Sequence, residues 1–369
     1  MRADGPLASV AAFVQPYNRY PDLYQSYYQQ SIAAYCSREG IAFHEEGSRF
    51  PGQLRFLRRV RESARFQRII PNPRGSQLID WAARQLGAKK EPEQKVGVYV
   101  LCGSNYRIRV CVDASDSGAI DDTNELEQCD IYFKTNFWPK RSYPPKVLPL
   151  ANLNPIVMTR RAQLDKLRNA EKEWDLFAFF RVWGGSDEVE GIEHNLTVFE
   201  TLARVNCKKK LLAYLISGDI RGAAARLDKA GVPWTTKWMP LAEVWSLASR
   251  SKLNIVRHGM HQCIPWRMTE MLAMGSCPVL DYPATTRWHV PIEENVHYLN
   301  LGIPYRPSGA ADFDPREVID RVESWLSSQH LIRTINENTA RYFDEHLTPE
   351  RLGRYILQTS RCFGNSASC

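Results

Sequence analysis

The chain has 369 residues, 44% apolar and 24% charged, the balance of a globular protein long enough for two ordinary domains. No run approaches the roughly 18 apolar residues of a membrane span. Nine scattered cysteines with no C-x-x-C pair fit neither a disulfide framework nor a zinc pattern, so reduced thiols in a cytoplasmic protein are expected and the sequon Asn195-Leu196-Thr197 carries no meaning.

The net charge of +7 is uneven. Residues 49–109 hold fourteen Lys or Arg against four Asp or Glu, an excess of ten, so the remainder is slightly acidic. Its centre is QLRFLRRVRESARFQRII, where Arg55, Arg58, Arg59, Arg61, Arg65 and Arg68 interleave with apolar residues. That pattern predicts a helix with an apolar stripe and a basic face. Such a face is either simply solvated or suited to an anionic acceptor, an anionic membrane surface or nucleic acid.

In chain order, the first third reads as α/β. SVAAFVQ is a buried strand; Gly5 and Pro6 break the apolar run before it, which argues against a signal peptide. PDLYQSYYQQSIAAYCSREG is a helix closed by Gly40, IAFHEE a short strand, and SQLIDWAARQLG a helix after the arginine helix. KVGVYVLCG, RIRVCVDAS and CDIYFKT are strands. Alternation of this kind predicts a parallel, helix-covered sheet. WPKRSYPPKVLPLANLNPIV, with five prolines, reads as an extended connector followed by a polar helix.

The second half begins a new alternation. DLFAFFRVWGG, KKKLLAYLISGD, VPWTTKWM and KLNIVRHG are strands; EHNLTVFETLARVN, IRGAAARLDKAG and PLAEVWSLASRS are helices. The stretch from Arg257 to Pro283 reads as a loop, a helix opened by Pro265, a small-residue turn and a further strand. A helix N-terminus met by a polar, basic loop favours a phosphate, and Glu270 inside that helix suits sugar hydroxyls. DPREVIDRVESWLSSQ and a run broken at Pro349 make a helical tail, and GNSASC reads as a disordered end. The expected organisation is an N-terminal domain over 1–150, a connector over 151–175, a donor domain over 176–345 and a C-terminal helix and tail over 346–369.

This ordered series resembles the donor-binding half of GT-B glycosyltransferases. It runs FFRVWGG, LLAYLISGD, VPWTTKWMPLAEVWSLAS, LNIVRHG, RMTEMLAMGSCPVLD and NENTARYFDEHLTPERLGRYIL, over about residues 175–358. The E-x-x-A-x-G core, Glu270, Ala273 and Gly275, is its strongest member. Arg267 shortly before Glu270 makes the stretch similar to the spore-coat-like and exostosin-like branch. The resemblance implies two Rossmann-like domains facing a cleft, a nucleotide-sugar donor, an unidentified acceptor and no metal or cofactor. It further implies that Glu270 bonds the donor ribose and that Arg181 and Arg267 approach the diphosphate. Arg257 and His258 occupy the loop after a strand, where α/β sheets place ligands, and Gly275 permits the turn after the helix.

The commonest retaining pattern has a second Glu eight residues before the helix Glu. Here that residue is Gln262, which favours inversion and calls for an acceptor-side base. Asp113 and Asp116 end a strand of the first half and are the leading candidates. His44, Glu45, Glu46 and the pair Asp121-Asp122 stand behind them, and turn formation is the competing role for these aspartates. Asp312-Phe313-Asp314 has the look of a D-x-D metal string but precedes Pro315 and reads as a helix cap. The tyrosines at 17, 20, 24, 27, 28 and 35 could stack on a sugar, although helical spacing favours packing. Lys134, Asn136 and Trp138 lead into the connector. The rival readings are a nucleotide-sugar epimerase on the same scaffold and a non-enzymatic binder of nucleic acid or anionic surfaces; no recognised nucleic-acid module supports the latter.

Overall fold

The computed structural model describes residues 5–13, 25–45, 95–183, 192–217, 220–304 and 313–366. The arginine helix, the 76–87 helix, Tyr17, Tyr20, Tyr24, Glu46, Gly218-Asp219 and Asp312 lie outside them. The fold class is α/β, and the chain divides into two units. One comprises 1–114, 121–133 and 353–369; the other comprises 115–120 and 134–352.

In the first unit, β1 (Leu7–Phe13), α1 (Ser26–Glu39) and β2 (Ala42–Glu45) form a parallel β-α-β turn. Gly40 closes α1 in the left-handed region at φ 69°, as a residue without a Cβ can. The next strands differ from the parallel sheet the alternation predicts. β3 (Val96–Gly103) runs antiparallel to both β1 and β4 (Arg107–Asp113). The cause is local: β3 and β4 are joined across Ser104-Asn105, with Gly103 donating to the Tyr106 carbonyl at 3.0 Å. So short a loop can only return the chain beside itself. With β5 (Ile131–Lys134) the order is β2-β1-β3-β4-β5. A short helix, α2 (Thr123–Gln128), begins where Asp122 accepts from the Glu125 amide. Tyr27 and Tyr28 are fully buried, so packing is their role.

In the second unit the proline-rich connector is not merely extended. It holds β6 (Val147–Pro149), α3 (Pro155–Thr159), capped by Asn154, and α4 (Arg161–Leu167). The sheet then builds from β7 (Trp174–Trp183), β8 (Lys209–Ser217), β9 (Trp234–Thr235), β10 (Ser251–Val256), β11 (Cys277–Leu280) and β12 (Leu299–Asn300). Its order is β12-β11-β10-β7-β8-β9, every adjacent pair parallel. The helices between strands are α5 (Ile192–Ala203), α6 (Ile220–Lys229), α7 (Leu241–Ser249) and α8 (Trp266–Met274).

Strand periodicity sets the layers. Leu176, Ala178, Phe180 and Val182 of β7 join Leu211, Ala213 and Leu215 of β8 in one core with α5. Phe180 stacks on Phe199 of α5 at 4.1 Å. Phe177, Phe179 and Arg181 take the other face. The tail forms α9 (Pro315–Ser327), α10 (Gln329–Tyr342), a π-turn over Phe343–Leu347 and α11 (Pro349–Ser366). Asp314 caps α9 by accepting from the Arg316 amide at 2.8 Å, the capping role read for it from Pro315. Gly364 to Ser366 continue α11, so that part of the expected disordered end is helical.

His289 in the second unit has its imidazole pushed down to about 4, chiefly by exclusion of water. The folded value lies below the ordinary 6.5. Between these values the unfolded chain takes up a proton that the folded chain refuses, so stability falls as pH drops from 6.5 toward 4. His289→Phe is expected to flatten that part of the profile by about one proton's worth of slope. Urea unfolding at steps between pH 7 and pH 4 measures it; a slope unchanged by the substitution refutes it.

Candidate functional site

The order of strands places a switch point in the second unit. From β7 the sheet grows one way through β8 and β9, then the chain jumps back to lay β10 on the other side of β7. Ligands of open α/β sheets bind outside the carboxyl ends of the strands at such a point. Here those ends carry the loop 257–265 after β10, the N-terminus of α5 after β7, and Asp281 after β11.

The expected strand, loop, helix and strand over 251–280 are all present. Pro265 is the N-cap of α8, and no side chain caps that helix. Its first-turn amides and dipole therefore make an environment that favours an anion. The preceding loop is held in a costly shape, with His261 and Gln262 both at positive φ, 58° and 57°. Gly259 N–H donates to Cys263 O at 3.0 Å, and Thr285 Oγ1 to Gln262 O at 2.9 Å, fixing it. At the other end of α8, Gly275 adopts φ 61°, its amide and that of Ser276 returning to the last turn. A Cβ there would press on Ala340 at 3.2 Å, so glycine is required by space as well as conformation.

Glu270 lies on the buried side of α8 and is 3% exposed. Its Oε1 accepts from Asn154 Nδ2 at 2.7 Å. Its Oε2 accepts from Trp245 Nε1 at 2.7 Å and Arg267 Nη1 at 3.0 Å. Asn152 adds a second clamp, accepting from Trp266 Nε1 at 2.8 Å, donating to Ile264 O at 3.3 Å and receiving Thr269 Oγ1 on its carbonyl at 3.2 Å. The segment read as a linker thus fastens the helix that carries the central acid.

His258 is also buried, and its Nδ1 lies 2.6 Å from Asp281 Oδ1. The structure brings Arg267 to Glu270 directly, whereas Arg181 stands on the exposed side of β7 with its guanidinium 5.3 Å from the Trp238 ring. Arg257 is half-buried at the start of the loop. Asp116 is half-buried in the second unit, its carbonyl receiving the Asn136 amide, and its charge is felt by the Cys263 thiol of the loop, which burial first and that charge next push up. Lys134, fully buried, holds the neighbouring Ser115 through a 2.6 Å bond to Oγ. Asp113 is 0% exposed and accepts from Tyr132 Oη at 2.9 Å and the Asp121 amide at 3.4 Å. Asp121 also faces Lys95 at 3.8 Å, and Asp122 is occupied as a cap.

No family model and no curated protein sequence matches the chain. Solved structures resemble it at a distance. A glycosyltransferase from Rickettsia africae ESF-5 matches with 10% identity over 90% of this chain and 87% of that one, at a TM-score of 0.43. Anabaena HepE, solved with UDP and glucose, matches with 11% identity over 89% and 88%, at 0.43. A structure from E. coli bound with UDP-2-fluoro glucose matches with 12% identity over 65% and 63%, at 0.40.

Four residues of this region escaped the sequence reading: Asn154 and Trp245, which bond Glu270, and His194 and Asp281, which bond each other. Asp281 had a local signal, an acid directly after a buried strand. The others are far from the helix in sequence and gain meaning only from packing. Among the described residues, no three His, Cys, Asp or Glu side chains group as a metal would need.

Glu270→Gln should destabilise the fold by about 2–4 kcal/mol, because an amide turned either way sets its NH2 against a buried donor. Urea unfolding of Glu270→Gln, Trp245→Phe and the double variant checks this. The loss in the double variant should fall clearly short of the sum; simple additivity would refute a shared carboxylate.

Proposed function

We propose that the chain is a GT-B-type glycosyltransferase that takes a nucleotide-diphosphate sugar as donor. The observation that carries this reading is the uncapped N-terminus of α8 behind a strained loop at the switch point, with the Arg267–Glu270 pair one turn inside. Positive charge and amide groups at that place would stabilise a diphosphate as it leaves. Glu270 would take a ribose hydroxyl on the acceptor site of Oε1 that Asn154 leaves open, or in exchange for Arg267, which would then turn to the phosphates. Arg181 is assigned to the same diphosphate, as are Arg257 and His258 in the loop. Gly275 keeps the helix in register beneath them.

Inversion is the proposed stereochemical course, since Gln262 stands where retaining relatives of this pattern have Glu. The acceptor-side base is then Asp116. The residue is only half-buried and its charge reaches the Cys263 thiol of the loop, while the Asp113 carboxylate is buried and bonded by Tyr132. As the donor C1–O bond breaks, its electron pair stays on phosphate. C1 bonds to the acceptor oxygen, and the acceptor proton goes to Asp116. The basic excess over 49–109 supports an anionic acceptor, or an acceptor presented at an anionic membrane surface, for a protein working in the cytoplasm. No metal is assigned, and the terminal diphosphate charge is left to arginine and backbone amides.

A nucleotide-sugar panel read by thermal shift and mass spectrometry tests this. At least one nucleoside diphosphate should raise the melting temperature, and its sugar should be transferred or slowly hydrolysed. Arg267→Ala should lower kcat/KM for that donor by about 10–100-fold. Asp116→Asn should cut kcat by about 100-fold while leaving nucleotide binding in place. No protection by any nucleoside diphosphate would sink the reading, and full activity of Asp116→Asn would remove the base.

A further inference from the structure

The stretch 115–120 of the second unit is neither helix nor strand, and side chains hold it. Lys134, the last residue of β5, places Nζ 2.6 Å from Ser115 Oγ and 3.4 Å from Ser115 O. Two residues on, Asn136 Nδ2 donates to Asp116 O. Tyr143 Oη donates to Gly118 O at 2.6 Å. Three carbonyls of one turn thus receive donors from a single segment, 134–143. Trp138 of that segment covers the turn as well: a Cβ on Gly118 would stand 2.9 Å from its ring, so only glycine lets the indole rest there. The segment is itself anchored. Leu150 N donates to Lys134 O at 2.9 Å, Arg287 N donates to Phe137 O at 2.8 Å, and the Phe137 ring stacks on Tyr143 at 4.6 Å.

The Ser115 and Asp116 carbonyls belong to the two peptide planes that meet at the Asp116 Cα. Holding both planes fixes the direction in which the Asp116 side chain leaves the backbone. A buried carbonyl needs a donor, and an amide or a phenol supplies one at little cost. Lysine is a costlier choice. Lys134 and Asn136 are both 0% exposed. An ammonium so far from water is tolerated only beside an opposite charge. Asp116, next to Ser115 in the chain, carries such a charge. It raises the Cys263 thiol while Lys134 lowers it, so both charges reach one buried sulfur. Asp116 itself is only half-buried. The turn therefore joins a backbone clamped from within to an acid that solvent still reaches.

We propose that Lys134 and Asn136 are the positioning residues of Asp116, holding the peptide planes on either side of it so that its carboxylate meets the acceptor in one orientation. This rests on the acceptor-side reading of Asp116 above. An acid on a loose turn must be ordered at every turnover, whereas a clamped one is ordered by folding. In the step itself the acceptor O–H bond breaks and its oxygen bonds to the donor C1. The proton goes to Asp116, and the C1–O electron pair leaves with the phosphate. Lys134 and Asn136 exchange no proton.

Amide hydrogen exchange of the full chain, read on peptides across 115–120, tests the clamp without any ligand. Lys134→Met and Asn136→Ala should each speed exchange there, and unchanged exchange in both overturns the inference. Hydrolysis of UDP-glucose, GDP-mannose and ADP-glucose, with water as acceptor, tests the use of the clamp. Lys134→Met should lower kcat by about 10–30-fold and leave donor KM within about twofold. In an Asp116→Asn background the same substitution should change kcat by less than about twofold, because it acts through the missing carboxylate. An equal loss in both backgrounds makes Lys134 merely structural and overturns the inference while sparing the base. Full activity of Asp116→Asn removes the base and this inference with it, and leaves the donor site standing. Neither turnover nor thermal protection with any of the three donors removes the donor reading too. Ser115→Ala, which deletes only the Oγ acceptor, goes through the same cycle if Lys134→Met does not fold. Its expected loss is about 3–10-fold, again absent without the Asp116 carboxylate.

Discussion

Everything in the second unit depends on a carboxylate that water barely reaches. An acid buried on a helix is tolerated only when its oxygens are hydrogen-bonded. Glu270 engages both oxygens, with Asn154 from the connector on Oε1 and Trp245 from α7 and Arg267 from its own helix on Oε2. Each donor comes from a different element, so the three bonds fix α7, α8 and the 150–160 segment against each other. A helix held that firmly can present a constant N-terminus to whatever the loop 257–265 surrounds. Arg168 reinforces the opposite end, donating to Ala273 O at 2.8 Å while Asp344 grips its guanidinium.

That arrangement divides the labour within one turn of helix. Positions 266 and 267 lie at the opening, where dipole and amides act outward. Positions 268 to 274 are buried without exception. Glu270 stands on the border between the two. A hydroxyl that reached it would take the acceptor site left open on Oε1 or exchange with one of the three donors. Such an exchange costs little when the incoming group replaces what it displaces, and it gives discrimination when it does not.

The second unit was legible because its information is local. A run of buried strand residues, a helix of 3.6 period and a glycine at a left-handed turn repeat along the chain, and Gly275 and Asp314 sit where their chemistry predicted. The first unit was harder. Its strands were found, but their direction hinges on Ser104-Asn105, a loop too short for a crossover, and strand alternation alone conceals that. The connector misled for a related reason. Prolines at 145, 149 and 155 suggest extended chain, yet Pro155 is the first residue of a short helix, where a missing N–H costs nothing. His194 and Asp281 are 87 residues apart, and only the order of strands brings them together.

The remaining polar atoms of this region bear on why the fold keeps them. Asn195, next to His194 on α5, is fully buried and neither of its amide atoms meets a partner among the described residues, and Asn254 in β10 is the same at 1% exposure. Each such group costs about 1–3 kcal/mol against an apolar replacement of similar shape. Leucine would fit the period of both elements and would be the choice of a sequence that served stability alone. Phe180, Phe199 and Leu215 close the β7 and β8 side of the same core. The two asparagines therefore lower stability where leucine would not, and stability alone does not account for them.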